Sequence, residues 1–228
     1  MNPVVLIAMY GRKRLVQTNL ELLHKQKCKV VVITSSDSDY LFVREMDMDN
    51  VHICTAPNEP LGRKWQIGVD YCKNLGADPL ITLGSDDFLS SGFVEQAVNY
   101  KELDFIFFTQ WHIHDSLTGK DYFLKYKNMF PLGSGRVFFK RFLERNNWTL
   151  FDKDRSRLLD DYAWDSIKYH DRLMINPPGM KLLSVKGNWE TMNTLEGILE
   201  ASEKIEWWLD MSIDHHFGYD RPIKDIFK

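Results

Sequence analysis

Two adjacent carboxylates, Asp86 and Asp87, close the apolar run in PLITLGSDDFLSSGF, Pro79 to Phe93. Carboxylates side by side repel, so a pair at the end of a buried strand needs a compensating cation. Hard divalent ions such as Mn2+ and Mg2+ favour oxygen ligands and can bridge a protein to a diphosphate, neutralising it as it leaves. The competing structural reading is a helix start, where acids are mildly stabilising. A second acidic group, Asp160 and Asp161 with Asp165 one turn later, lies on a helical pattern. An acid at the border of its apolar stripe suits a general base for an attacking hydroxyl. Ordinary exposed helix acids fit the pattern about as well. Arg63 and Lys64 open another helix just before the strand and are placed to meet a phosphate or simply to face water.

These groups need elements to position them. PVVLIAMYGR, CKVVVITSSDSD, VHICTA and DPLITLG each carry a short strand, the first two and the last with a continuous apolar run, as expected of strands buried on both faces. Between them, Leu15, Asn19, Leu22, Leu23 and Gln26 share one helical face, a helix is expected from about Tyr40 to Met46, and Trp65, Val69 and Cys72 share another face. Ser90 or Ser91 is expected to cap a helix through Tyr100, and Leu103–Trp111 reads as a fifth strand. Strand–helix alternation predicts a parallel, doubly wound sheet whose ligands sit beyond the carboxyl ends of the strands. Tyr10 to Arg12, Ser35 to Asp37 and Asp86-Asp87 all fall there.

After Trp111 the pattern changes. HIHDSLTGKDYFLKYK predicts a hairpin turning at Thr118-Gly119. GSGRVFFKRFLERNNW predicts a loop entering a helix, PPGMKLLSVKG a late strand, and TLEGILEASEKIEWWLDM a final helix with Trp207 and Trp208 foremost in the core. His112 and His114 point one way from the hairpin, lining a cleft or held by partners within it. His170, His215 and His216 are available as further metal ligands, though adjacent histidines are usually surface residues.

Composition bounds the rest. The chain has 228 residues, of which 44% are hydrophobic and 13% aromatic, enough for one globular domain with a full core. The net charge of -3 gives no global basic footprint for nucleic acid. Basic and aromatic residues do interleave at Lys125–Phe130 and Phe138–Trp148, a pattern that reads foremost as solvated charges beside core aromatics. The three cysteines, Cys28, Cys54 and Cys72, show no zinc or disulfide spacing and read as reduced core thiols in a cytoplasmic protein. The opening run is too short to span a membrane and lacks the basic lead-in of a signal peptide.

Four segments together resemble the GT-A nucleotide-sugar glycosyltransferases of the family-two kind: the opening strand with MYGR, NEPLGRKWQIG, ITLGSDDFLSSGFVE, and GSGRVFFKRFLERNNW followed by LLDDYAWDSI. The resemblance implies an α/β GT-A fold, a mostly parallel Rossmann-like sheet flanked by helices, followed by an acceptor-side hairpin and helices. It implies a single domain over 1–228, with a nucleotide-sugar half at 1–110 and an acceptor half at 111–228. It implies Mn2+ or Mg2+ held by Asp87 with Asp86 close by; the family's first D-x-D acid matches Ser85. Tyr10, Arg12, Ser35, Asp37, Asn58, Gly62, Lys64, Ser85 and Asp86 would bind the donor, a UDP-sugar foremost. Gln66 replaces the family's usual Asn. Trp111, Gly133, Ser134 and Arg136 would meet the acceptor. Asp161 would be the base of an inverting transfer, with Asp160 as the competing register. The acceptor stays open among a glycan, a lipid-linked saccharide and a hydroxymethylated DNA base, and a homodimer is among the expected partners. Nucleotidyl transfer on a similar fold and a non-catalytic nucleotide-sugar-binding module are the alternatives.

Overall fold

The computed structural model describes residues 1–127, 131–157, 159, 172–187, 194–200, 204–210 and 213–227. Its frame is a seven-stranded sheet in the order β10-β6-β9-β4-β1-β2-β3. Here β1 is Val4–Ala8, β2 Lys29–Thr34, β3 Val51–Thr55, β4 Leu80–Gly84, β6 Phe105–Phe107, β9 Arg136–Phe138 and β10 Leu173–Ile175. Strands β4, β1, β2 and β3 run parallel; β9 is antiparallel to both neighbours. Alternate residues of the apolar runs serve opposite faces. Val5, Ile7, Val30, Val32, Ile81 and Leu83 pack with helices α1 (Lys13–His24) and α4 (Phe93–Asn99). Val4, Leu6, Val31, Ile33 and Leu80 pack with α3 (Leu61–Asn74) and α5 (Lys140–Arg145). Helix α3 lies so close that a Cβ on Gly68 would run into Ile33 and Leu6. On the other face, α2 spans Asp37–Glu45 and is capped by Ser36, whose Oγ accepts from the Asp39 amide.

A second sheet of five strands has the order β12-β8-β7-β11-β5. It joins β5 (Asp87–Leu89), β7 (Gln110–Asp115), β8 (Lys120–Tyr126), β11 (Leu182–Lys186) and β12 (Ile205–Leu209). The expected hairpin is β7–β8, with Gly119 at its turn in the left-handed region, φ 68°. One face of this sheet adds Leu89, Trp111, Ile113, Leu124, Leu182 and Ile205 to the main core. The other carries Phe88, Leu183 and Val185 and is covered by the short helices Ile213–Phe217 and Ile223–Ile226.

Several expectations are corrected. The fifth strand is two: β6 stays in the first sheet, and the chain breaks at Phe108-Thr109 before β7 enters the second. The loop before α5 contains β9, whose Val137 and Phe138 pair with both β4 and β6. The expected final helix is described over Leu195–Glu200, and Ile205–Leu209 is an edge strand paired with β8. Trp207 and Trp208 are therefore surface residues, 42% and 49% exposed, not core. Gly92, not a serine, caps α4, at φ 75°. Phe138–Trp148 does follow the reading of solvated charges beside core aromatics: Phe138, Phe139, Phe142 and Trp148 are buried, while Arg141 and Arg145 pair with Asp104. Those aromatics are not free to stack on bases. All three thiols are unpaired and buried, and burial raises the Cys28 thiol to about 12. No helix among the described residues is long and apolar enough to cross a membrane.

Candidate active site

Asp86 and Asp87 sit where the chain leaves one sheet for the other: β4 ends at Gly84 and β5 starts at Asp87. This excludes the helix start. The crossing is anchored by backbone groups. The Val185 amide donates to the Asp86 carbonyl at 2.8 Å, and buried Asn19 of α1 donates from Nδ2 to the Asp87 carbonyl at 2.7 Å. Gly84 leaves the space into which the Asp87 carboxylate folds back; a Cβ there would collide with Asp87 Oδ2.

The two acids have different surroundings. Each oxygen of Asp86 meets a cation: Arg12 Nη1 lies 3.0 Å from Oδ1, and Lys186 Nζ lies 2.8 Å from Oδ2. Arg12 Nη1 also donates to Ser85 Oγ at 3.0 Å. Gly11 and Arg12 both take left-handed backbone, φ 62° and 52°, and this turn carries the chain from β1 into α1. For Arg12 that conformation costs on the order of 1–2 kcal/mol. Asp87 has Asp86 as its neighbour. Desolvation first, then the Asp86 charge, raise its carboxyl above the ordinary range; Lys186 and the hydroxyls of Ser184 and Ser134 oppose the rise.

The pair opens into a cleft of about 730 Å³. One end is polar. Tyr10, Arg12, Asn58 and Lys64 line it. Lys64 is 1% exposed and donates from Nζ to the Met9 carbonyl at 2.5 Å and to Asn58 Oδ1 at 3.1 Å. Desolvation lowers its pKa to about 8, against the pull of Asp39 and Glu59. Trp65 and Phe151 stack beside it at 5.5 Å. Gln66, the replacement for Asn, fixes Phe151 there: its Oε1 accepts from the Leu150 and Phe151 amides and its Nε2 donates to the Trp148 carbonyl. The other end is apolar, lined by Trp111, Tyr126, Leu132, Leu182, Ile198 and Ile205.

The cleft thus gathers Tyr10, Arg12, Asn58, Lys64, Ser85, Asp86, Asp87, Trp111, Gly133 and Ser134. Gly62 is outside it, packed so tightly that a Cβ would strike the Asp152 carbonyl. Arg136 is fully buried and donates to the Leu132 and Pro131 carbonyls, bracing the loop that bears Gly133 and Ser134. Asp37 is an exposed first-turn residue of α2. Two residues on, buried Asp39 turns inward and accepts from the Gly11 amide at 3.1 Å. Ser35 keeps a buried hydroxyl with no hydrogen-bond partner among the described residues. His112 and His114 face away from the cleft, held by Asp210 and Asp121 at 2.7 Å each. Asp160, Asp161, Asp165 and His170 lie outside the described residues, although Leu159 lines the cleft.

Lys186 and Ser184 were not anticipated. The signal was present in LLSVK: its polar residues alternate, so they share one face of an otherwise apolar strand. That face meets Asp87, which pairs in register with Ser184.

No family profile matches this sequence. No curated protein matches it either. Solved structures do. Two crystal structures of residues 1–349 of S. aureus TarS, one in complex with UDP, align over 81% of this chain and 60% of theirs, at 12% identity and TM-scores of 0.62 and 0.59. A longer TarS structure aligns over 81% of this chain and 37% of its own, with a TM-score of 0.63. The chain therefore spans less than two thirds of the length of these neighbours. At this identity the likeness establishes the fold, which is GT-A-like: a mostly parallel sheet flanked by helices.

Proposed function

We propose that the chain transfers a sugar from a nucleoside-diphosphate sugar to an acceptor hydroxyl. The observation that carries this reading is the carboxylate pair at the crossing of the two sheets, facing Arg12, Lys64 and Lys186 across one cleft. A neighbour of the same fold has been solved with UDP, which supports UDP as the first donor nucleotide to test. The polar end suits the nucleotide, with Trp65 and Phe151 as apolar walls and Lys64 as a buried cation. The apolar end, with Trp111 and Tyr126 at 5.2 Å, suits the acceptor. Rings of a saccharide can stack there on their flatter, less polar faces. A saccharide acceptor is favoured over modified DNA, since Phe138–Trp148 keeps its aromatics in the core and lines none of the cleft, and of Lys125 and Tyr126 only Tyr126 lines it.

The donor set fits a divalent ion at Asp87 and not at Asp86. Asp87 is crowded by a like charge, takes hydroxyl hydrogen bonds from Ser184 and Ser134, and keeps part of its surface open. Mg2+ and Mn2+ commonly bind through one carboxylate plus substrate phosphates and water. Asp86 has both oxygens committed to cations. Bound at Asp87, the ion would supply electrostatic stabilisation to the departing diphosphate. The chain's own side chains do the rest. Lys64 holds the β1 turn to Asn58, and Gly84 lets the Asp87 carboxylate take its place. Asp161 is the proposed base that removes the acceptor's proton; Leu159, two residues earlier, lines the cleft. Asp161→Asn should lower kcat by about 10²–10³ with donor binding retained. Unchanged turnover in Asp161→Asn and in Asp160→Asn removes these acids from the mechanism.

A further inference from the structure

We propose that Lys186 and Arg12 form an anion-binding pair that receives the donor's diphosphate, and that Asp86 is the counter-ion that holds both cations in place. The inference rests on the donor reading above and adds a binding site to it. Both cations line the cleft beside Asp86 and Asp87. They come from opposite sides, Arg12 from the turn after β1 and Lys186 from the end of β11, and converge on the two oxygens of one carboxylate.

Their burial makes the arrangement more than a surface ion pair. The side chains of Lys186, Asp86 and Arg12 are only 9%, 12% and 19% exposed. Arg12 and Lys186 thus stand together at the floor of the cleft, and Lys64, set against Asp39 and Glu59, lines the same cleft. An anion entering there meets cations whose side chains are already largely withdrawn from water. Taking charges out of water is costly unless each finds a partner, so the carboxylate that keeps the cations ready is part of the site. The side chains also differ usefully. Arg12 brings a planar guanidinium, the group suited to phosphate oxygens, anchored through Nη1 on Ser85 Oγ and Asp86 Oδ1. Lys186 is a point charge on a flexible stem that can turn from Asp86 to a phosphate without moving the strand. The carboxylates are thereby divided: Asp87 faces the ion site, and Asp86 serves the cations.

The test is calorimetry in EDTA buffer with UDP, GDP, CDP and TDP, each beside its nucleoside, on wild type, Lys186→Met and Lys186→Arg. The diphosphate that binds wild type should lose about ten- to a hundredfold in affinity with Lys186→Met. It should recover with Lys186→Arg, and nucleoside affinity should not change. If Lys186→Met does not fold, Lys186→Gln keeps a hydrogen bond to Asp86 and carries the same expectation. Equal diphosphate affinity in wild type and variant overturns the role of Lys186 and leaves the donor reading standing. Equal losses of nucleoside and diphosphate mark a structural role and overturn it too. A wild type that binds none of the diphosphates in EDTA but binds one with Mn2+ overturns this inference and leaves the donor reading standing; one that binds none in either buffer overturns both.

Discussion

Lys186 meets Asp86 across 100 positions of sequence, its Nζ 2.8 Å from Oδ2, while Arg12 takes the other oxygen of the same carboxylate. That contact ties the last strand of the second sheet's core to the end of β4 and separates the roles of two adjacent acids. Asp86 is neutralised by protein cations. Asp87 is left with a like-charged neighbour and a raised carboxyl pKa.

Asp87 should therefore cost stability where it is ionised. Its folded pKa lies above the ordinary value of 3.8, so the fold favours the protonated acid. That contribution is complete below about pH 3.8 and is lost as pH rises through the folded pKa. Asp87→Asn should raise Tm at pH 7 and give no gain near pH 3.5. In a chain of this size about 1 kcal/mol moves Tm by roughly 2–4 °C. Thermal melts of both proteins across pH check this, and an equal shift at all pH values would contradict it.

Gly84→Ala tests the same acid sterically. The added Cβ needs the space held by Asp87 Oδ2. The carboxylate must turn away while its charge stays. Turnover should fall by about 10² or more, in line with displaced catalytic groups, while nucleotide affinity changes little. Steady-state kinetics beside calorimetry separate the two effects; wild-type kcat would contradict the placement.

Lys64 gives opposite pH trends in binding and stability. Its folded pKa is about 8, below the ordinary 10.5. Between these values the unfolded chain binds the extra proton, so wild-type stability should rise with pH relative to Lys64→Met. Donor affinity should fall over the same range, by up to about tenfold per pH unit, as the cation is lost. Denaturant melts and UDP titrations at pH 7 and pH 9.5 check both; parallel trends would contradict the reading.

Gln66→Leu should loosen the nucleotide end without touching it. Gln66 satisfies two buried amides and one carbonyl at Trp148–Phe151. Leaving such groups unpaired costs about 1–3 kcal/mol each. Tm should drop, and Phe151, which stacks on Trp65, should lose its fixed position. The readout is a lower Tm with nucleoside affinity weakened more than pyrophosphate affinity.

Much of this was legible in sequence because burial on both faces leaves continuous apolar runs. Val4–Ile7, Val30–Ile33 and Leu80–Leu83 announced the parallel strands, and Gly84 with Asp86 and Asp87 announced their functional end. The second sheet was harder to read. Its strands are buried on one or both faces in unequal measure: IEWWL exposes four of its five residues, so its apolar residues suggested a core helix. β9 is only three residues long, and its place between β4 and β6 is a tertiary choice with no local signature. Tyr10, Arg12, Asn58 and Lys64 line the cleft because they follow strands or open helices. Arg136 instead braces the Pro131 and Leu132 carbonyls, a use that depends on a loop path that spacing does not encode. Asp37 was expected near the nucleotide from its place just after β2, and Asp39 was not singled out; only the helix phase set by the Ser36 cap turns Asp39 inward.

The most direct measurement is product analysis with UDP-, GDP- and TDP-sugars, with and without Mn2+, on wild type and Asp87→Asn. Sugar transfer at this cleft predicts free nucleoside diphosphate, with the sugar passed to a saccharide acceptor or to water, and a fall of about 10²–10³ in turnover for Asp87→Asn. Release of pyrophosphate, or donor binding with no turnover in wild type, would contradict it.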